Sequence, residues 1–207
     1  MTVENSPSAF EWRLGRGWSN EELAHRLVVF RDRPSSVGNP DLAMTSAHGF
    51  NHYGSEAPIG REPVGRPVKD GPFERARALL ERYEFSDPRI VVGHFDVAAP
   101  LCNRVMLLEI KILGLRFLCG VRVGAVRDHE DGGRHVFAFR YDTLLGHVET
   151  GSEWFVLTKE PGTGEIRLAI RAAWRPGELP TWWSQLGFRL FSRHYQRAWH
   201  RLAYLRP

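Results

Sequence analysis

The sequence predicts an α+β domain in which a curved antiparallel sheet, of about six or seven strands, wraps around a long C-terminal helix. Three observations lead to this expectation. Segments with the alternation and β-branched residues of strands follow one another from residue 90 to residue 174. The links between them are too short to contain crossover helices. An amphipathic segment then covers residues 184–204.

The links between the strand segments carry turn-forming residues. Residues 113–114, 131–133 and 161–164 are short and contain glycine, which favours tight hairpin turns. Neighbouring strands are therefore expected to pair as antiparallel hairpins, in a meander rather than a doubly wound sheet. The predicted strands cover residues 90–96, 104–112, 116–127, 135–143, 153–159 and 165–174.

Two helices are predicted before the strands. Ser19 and Glu22 have the spacing of a capping box, and apolar residues at helical intervals follow, so a helix is expected over residues 20–30. A second helix is expected to begin at Pro72, because proline suits the first helical turn. Its apolar positions are Phe73, Ala76, Leu79, Leu80 and Tyr83.

The segment from residue 33 to residue 70 is rich in Pro, Gly, Ser and Asn and is predicted to be irregular. We therefore divide the chain into residues 1–70, an N-terminal helix with an irregular extension packed on the body, and residues 71–207, the main domain.

The final predicted helix has an aromatic side that a curved sheet would bury. Its apolar positions are Phe188, Phe191, Tyr195, Trp199 and Leu202. Arginines occupy other positions and either form a solvent-exposed face or contact phosphates or an anionic membrane surface. They are Arg189, Arg193, Arg197 and Arg201.

Composition excludes several classes of protein. With 207 residues, 43% hydrophobic and 25% charged, the chain has the make-up of an ordinary globular domain. No apolar run approaches the ~20 residues that cross a bilayer, and no leader is recognised, so a cytoplasmic location is expected. Cys102 and Cys119 are expected to be buried thiols, since they form neither a disulfide framework nor a zinc motif.

The net charge and the absence of common motifs limit the classes of ligand and partner that the sequence supports. The pI of about 9.4 and net charge of +4 are compatible with an anionic ligand, but no block of consecutive basic residues gives a strong nucleic-acid signal. Nucleotide-binding loops, zinc-protease motifs and serine-hydrolase elbows are absent from the sequence. No cofactor and no metal site are predicted, and the oligomeric state is not determined.

The stretch from Tyr141 to Glu153 concentrates groups that can carry chemistry. If it is extended, His147 and Glu149 lie on one face by the two-residue strand period, and Glu153 joins them across Gly151. These three are the candidate catalytic residues for proton transfer, and they also resemble a metal shell. In the structural alternative, His147 bonds to backbone and the two acids pair with arginines.

Other residues are candidates for ligand contact. Arg171 can hold a carboxylate or phosphate, or it can lie on a solvated face or pair with Glu153. Glu109 and Lys111 either line a cavity or face solvent. Tryptophans before the final helix form a pocket rim, a partner surface or a core cap. The candidate ligand-binding residues are Tyr141, Thr143, Phe155, Arg171, Trp174, Trp182, Phe191 and Tyr195.

Several of these segments resemble the DUF1990 family of uncharacterised proteins. The resemblance rests on residues 71–76, on the run from Phe139 to His147, and on residues 151–155 and 171–176. The specific pattern is Tyr-x-Thr-Leu-x-Gly-His followed by Gly-x-Glu-x-Phe.

The sequence departs from the family pattern at Asp142, where glycine is usual, and at Ser152, where an acid is frequent. The resemblance also implies a relation to helix-grip folds of the START and Bet v 1 type, which enclose an apolar ligand between sheet and helix. Small-molecule binding is therefore the leading hypothesis. The alternatives are an acid/base enzyme of the isomerase, cyclase or hydrolase type and a protein-interaction module.

Overall fold

A computed structural model describes residues 8–38 and 44–177. These residues form one antiparallel sheet of eight strands with two α-helices and a short 3-10 helix. The strands are β1 (Phe10–Leu14), β2 (Asn51–Arg61), β3 (Val91–His94), β4 (Val105–Ile112), β5 (Leu115–Asp131), β6 (Arg134–Thr143), β7 (Glu149–Lys159) and β8 (Glu165–Pro176). The helices are α1 (Asn20–Phe30) and α2 (Pro72–Glu81), and the 3-10 helix is Ser46–His48.

The sheet is built from hairpins, as the short links predict. The strand order is β2-β8-β7-β6-β5-β4-β3, and all neighbours pair antiparallel. β1 pairs with the first residues of β5, which precede the stretch that pairs with β6. The meander from β3 to β8 is therefore confirmed, whereas the predicted helix over residues 184–204 lies outside the described residues.

The sheet has more strands than the sequence predicts because β1 and β2 were missed. β2 lies inside the segment predicted to be irregular and pairs with β8 at the edge of the sheet. Its register shifts between Pro58 and Gly60, and an edge strand tolerates both residue types. The Gly and Pro residues of this segment favour a loop locally, but pairing with β8 makes it a strand.

Within residues 8–38 and 44–177, one helix packs on each face of the sheet. Phe73 and Leu80 of α2 belong to the main apolar core together with Phe139, Phe155 and Ile170 from the strands. We call this side the α2 face. A smaller core joins α1 to the other side of the sheet, which we call the α1 face. Its buried members include Leu23, Phe30, Leu107, Leu118 and Leu144.

Both ends of α1 are held by side chains. The predicted capping box is present, with Ser19 and Glu22 each accepting a hydrogen bond from the other's backbone N–H. At the other end, Arg122 of β5 donates to the carbonyls of Arg31 and Arg33 at 2.6 and 3.0 Å. A guanidinium there satisfies carbonyls left unpaired beyond the last helical turn.

Two expectations from composition can be compared with the structure. Both cysteines are free, but Cys102 is exposed, so the expectation of burial is wrong for that residue and correct for Cys119. Cys102 lies in a turn rather than facing the core. None of the helices in the described part of the chain is long and apolar enough to cross a membrane.

Candidate functional site

A group of hydroxyl and carboxyl side chains occupies one end of the α2 face. It contains Tyr83, Tyr141, Glu149 and Glu153, which we call the carboxyl cluster. Tyr141 of β6 lies directly opposite Glu153 of β7 in the strand pairing. Glu149 and Glu153 share this face because side chains repeat every two residues along β7, as the sequence predicts.

Tyr141 ties the two strands together through its side chain. Its hydroxyl donates a short hydrogen bond to Oε2 of Glu153. Tyr83 lies near Tyr141 and packs edge-on against Phe155, with the ring centroids 6.2 Å apart. The two phenols and Glu153 therefore lie side by side, and both phenol rings pack on Phe155.

Sequence reasoning missed Tyr83, which it assigned only to the apolar side of α2. The residue follows the end of α2 with φ of 56°, a left-handed conformation that costs about 1–3 kcal/mol for a non-glycine residue. Gly93 leaves room for its ring, since a Cβ there would approach Cδ1 of Tyr83 to 2.8 Å. The sequence signal that could have identified Tyr83 is a bulky residue at the position that ends α2, where glycine is usual.

Glu149 is the least satisfied group of the cluster. Its Oε1 is buried and has no hydrogen-bond partner within residues 8–38 and 44–177. No ion pair links it to any residue in those ranges, so the predicted arginine partner of Glu149 is not found there. Most buried polar atoms are hydrogen-bonded, and an exception calls for a physical explanation.

Burial raises the pKa values of Glu149 and Glu153 toward neutral pH. Burial raises the pKa of Glu153 to about 7, although the hydrogen bond from Tyr141 opposes the shift. Burial, and then the charge of Glu153, raise the pKa of Glu149 to about 8. Burial also raises the pKa of Tyr83 and Tyr141 well above the ordinary value for a phenol. Near pH 7 the phenols are therefore neutral and the carboxyl groups titrate.

The contacts of His147 match the structural alternative, in which its imidazole bonds to backbone. Its Nδ1 accepts a hydrogen bond from the backbone N–H of Glu149 at 2.9 Å. Burial lowers the pKa of His147 to about 4, against the smaller opposing effect of the Glu149 backbone. The imidazole is therefore neutral near pH 7, and its Nδ1 contacts both the N–H and the carbonyl of Glu149 in the turn between β6 and β7.

Thr143 and Gly151 explain part of the sequence pattern between β6 and β7. The Thr143 hydroxyl accepts from the Gly151 N–H at 2.9 Å and donates to its carbonyl at 3.1 Å. A Cβ on Gly151 would lie 2.8 Å from Cα of Trp174, so only glycine lets β8 pack this closely. Thr143 is therefore bound to backbone, and Phe155, with no exposed surface, is part of the core.

The remaining predicted ligand residues are divided between the two faces. Trp174 lies opposite Gly151 in the pairing of β7 with β8, and its Cβ is on the side of the carboxyl cluster. Arg171 is exposed and lies three residues from Trp174 along β8, so it is on the opposite face of the sheet. The structure therefore does not bring Arg171 together with Glu153. Trp182, Phe191 and Tyr195 lie outside the described residues.

Glu109 follows neither of its two predicted alternatives. Its side chain is 7% exposed and lies between Arg116 and His94, with nitrogen–oxygen distances of 2.6 and 3.0 Å. It faces away from the α2 face and is covered near Gly17. Lys111 donates to the Pro88 carbonyl. Glu109 therefore links β4 to β3 and β5, and Lys111 links β4 to the loop before β3. Neither residue contributes to the carboxyl cluster.

The two departures from the family pattern also lie away from the cluster. Asp142 forms a buried ion pair with Arg140, with Nε and Oδ1 2.9 Å apart. Ser152 donates to the sulfur of Met44 at 3.0 Å. Among the residues that the structure describes, no group of three His, Cys, Asp or Glu side chains could hold a metal ion.

Comparisons with known proteins place the chain in a family. The chain is similar to the crystal structure of Ara h 8.0201, at 13% identity over 75% of this chain and 98% of the other, with a TM-score of 0.39. It is also similar to the Mll3558 protein from Rhizobium loti, at 13% identity over 74% and 93% of the two chains, with a TM-score of 0.25.

Likeness at this level adds nothing to the strand pairing, which defines the fold. No curated protein matches the sequence. The family described as a domain of unknown function, DUF1990, matches residues 36–204, a range that includes α2, strands β2 to β8 and every member of the carboxyl cluster. The chain therefore belongs to the DUF1990 family.

Proposed function

We propose that this protein binds a small molecule with an apolar body and one polar group, which contacts the carboxyl cluster. The observation that carries the proposal is the buried Oε1 of Glu149, which lacks a hydrogen-bond partner in the described part of the chain. A ligand that donates a hydrogen bond to this oxygen would remove the cost of its desolvation.

The surroundings of Glu149 support a ligand site. Tyr141, Glu149 and Trp174 are partly exposed, whereas Phe155 and Ile170 beneath them are fully buried. Ligand sites typically combine an apolar lining with a few polar groups that orient the ligand. The cluster has this composition, at the border between the aromatic core and solvent.

The proposal includes a second wall from the predicted helix over residues 184–204. In the helix-grip arrangement that the family resemblance implies, Phe191 and Tyr195 would face the sheet and enclose the apolar body of the ligand. Trp182 would lie at the entrance. These three residues are outside the described ranges, so this wall depends on the sequence pattern alone.

Native mass spectrometry of the protein purified from its own source tests the proposal. We expect an additional retained mass in the wild type and at least a tenfold lower occupancy in Glu149→Leu, because the substitution removes the polar anchor. The matched control is Glu56→Leu, since Glu56 is an exposed carboxylate on β2, paired with Arg167. A wild-type protein that carries only its own mass would contradict the proposal.

A second candidate function is acid/base catalysis, favoured by the pKa values of about 7 for Glu153 and about 8 for Glu149. Groups that titrate near the working pH exchange protons most effectively. In this candidate, Glu153 and Glu149 transfer the proton, Tyr141 orients Glu153, and His147 acts only as a positioning residue.

Deuterium incorporation distinguishes catalysis from simple binding. If the cluster moves protons, the molecule recovered from the protein will gain deuterium at carbon when it is incubated with wild-type protein in D₂O. Glu153→Gln should abolish the exchange, whereas His147→Gln should retain most of it. Exchange that survives in Glu153→Gln, or no exchange with wild type, excludes this candidate and leaves the binding proposal intact.

A further inference from the structure

We propose that the ligand of the carboxyl cluster is a small amine that binds as its ammonium ion, with Glu149 as the direct partner of the charge. This inference rests on the proposed binding function and names the chemical class of the ligand. It differs from the anionic ligand that the basic composition of the chain suggests.

The first argument is the balance of charge. The titratable groups that interact with the charge of Glu149 are Glu153 on β7, Tyr141 on β6 and Cys119 on β5. Tyr83 interacts with Tyr141 and Glu153, and His147 contacts the backbone of Glu149. Burial, and then the charge of Glu149, raise the pKa of the Cys119 thiol. None of these five side chains supplies a positive charge at neutral pH, given their pKa directions.

An anion would be repelled at this position. At a pH where both acids are ionised, a third negative group would add to the repulsion between Glu149 and Glu153. Arg171, the predicted anion-binding residue, is exposed and alternates with Trp174, so it does not offset this charge. An ammonium ion would instead compensate the charge of Glu149, and compensation is what a buried charge requires.

The second argument is the geometry of the open acceptor. Oε1 of Glu149 is buried without a partner among the described residues, and an ammonium group brings several N–H donors to such an oxygen. Gly151 separates the two acids along β7 and lies opposite Trp174. Trp174 and Tyr141 are partly exposed aromatic residues beside the acids, and aromatic faces attract cations.

Isothermal titration calorimetry with three matched probes tests the inference. Hexylammonium, 1-hexanol and hexanoate share one apolar body and differ in charge. On the full chain at pH 8.5 we expect hexylammonium to bind at least about tenfold more tightly than hexanol, and hexanoate to bind most weakly. Hexylammonium affinity should rise from pH 6 to pH 8.5, because Glu149, with its pKa of about 8, ionises over that range while the amine keeps its proton.

Two variants locate the charge. Glu149→Gln should weaken hexylammonium binding at least about tenfold and change hexanol binding less than about twofold, because only the ion pair is lost. Glu56→Gln, on the exposed part of β2, should change neither. Equal losses for amine and alcohol in Glu149→Gln would overturn the assignment of Glu149 as the partner of the charge.

The outcomes separate the amine inference from the binding function. If hexanol or hexanoate binds as well as hexylammonium, the amine inference is rejected and the proposed binding function stands. If none of the three probes binds, the amine inference is again rejected, and the retained mass in native mass spectrometry decides the binding function independently.

Discussion

Replacing Lys159 by methionine is expected to lower the free energy of unfolding by about 3–5 kcal/mol. Lys159 Nζ lies 2.8 Å from Oε1 of Glu62, and the two side chains are 0% and 1% exposed. The ammonium also donates to the Arg66 carbonyl at 2.7 Å. Without it, the carboxylate of Glu62 would remain buried with its main charge partner removed.

Urea denaturation of matched variants measures this effect. The double variant Glu62→Gln with Lys159→Met should be more stable than Lys159→Met alone, because no uncompensated charge is then buried. Arg82→Ala is the control: its partner is Glu84, both side chains are more than half exposed, and about 0–1 kcal/mol is expected. A loss below about 1 kcal/mol in Lys159→Met would show that the buried pair contributes little to stability.

The same ion pair bears on the site through α2. Glu62 accepts, at 3.4 Å, from the backbone N–H of Phe73 in the first turn of α2, so the pair links the end of β7 to the start of this helix. Tyr83 follows the other end of α2. We therefore expect disruption of the pair to disturb the carboxyl cluster as well as global stability.

Replacing Glu149 by glutamine is expected to stabilise the unliganded protein, and to do so increasingly as the pH rises. Burial raises the pKa of Glu149 from its ordinary 4.5 to about 8. Its contribution to stability is therefore present in full below pH 4.5 and is lost as the pH rises toward 8, because only the unfolded chain ionises in that window. The cumulative difference is on the order of 5 kcal/mol.

The measurement is the free energy of unfolding of wild type and Glu149→Gln at several pH values between 4.5 and 8.5. The two proteins should differ least at the acidic end and most at the alkaline end. His147, whose pKa is lowered from 6.5 to about 4, makes both proteins lose stability as the pH falls through that range, so its effect cancels in the difference. A difference that does not vary with pH would mean that folding does not raise the pKa of Glu149.

Buried Glu149 is expected to destabilise the unliganded protein, and a bound ligand charge would offset this effect. A carboxyl group that destabilises the empty protein and binds a ligand charge is a common trade between stability and function. Glutamine at residue 149 should therefore make the protein more stable and the proposed amine site weaker. The two changes together would distinguish a functional acid from a structural one.

Much of the fold was predictable because its signals are local. The capping box of Ser19 and Glu22, the glycine-containing links and the alternation along β4 to β8 each depend on residues close in sequence. The strands β1 and β2 were harder to predict. β2 carries Gly54, Pro58 and Gly60, which indicate a loop locally, and only its pairing with β8 makes it a strand.

The candidate site divides in the same way. By itself the sequence determined that Glu149 and Glu153 share a face, because the strand period is two residues. Tertiary structure decided what surrounds them: Tyr83 arrives from the end of α2, His147 turns to backbone, and Arg171 is directed away. Local periodicity sets the direction of a side chain, but its burial, and therefore its pKa and partners, depends on residues distant in sequence.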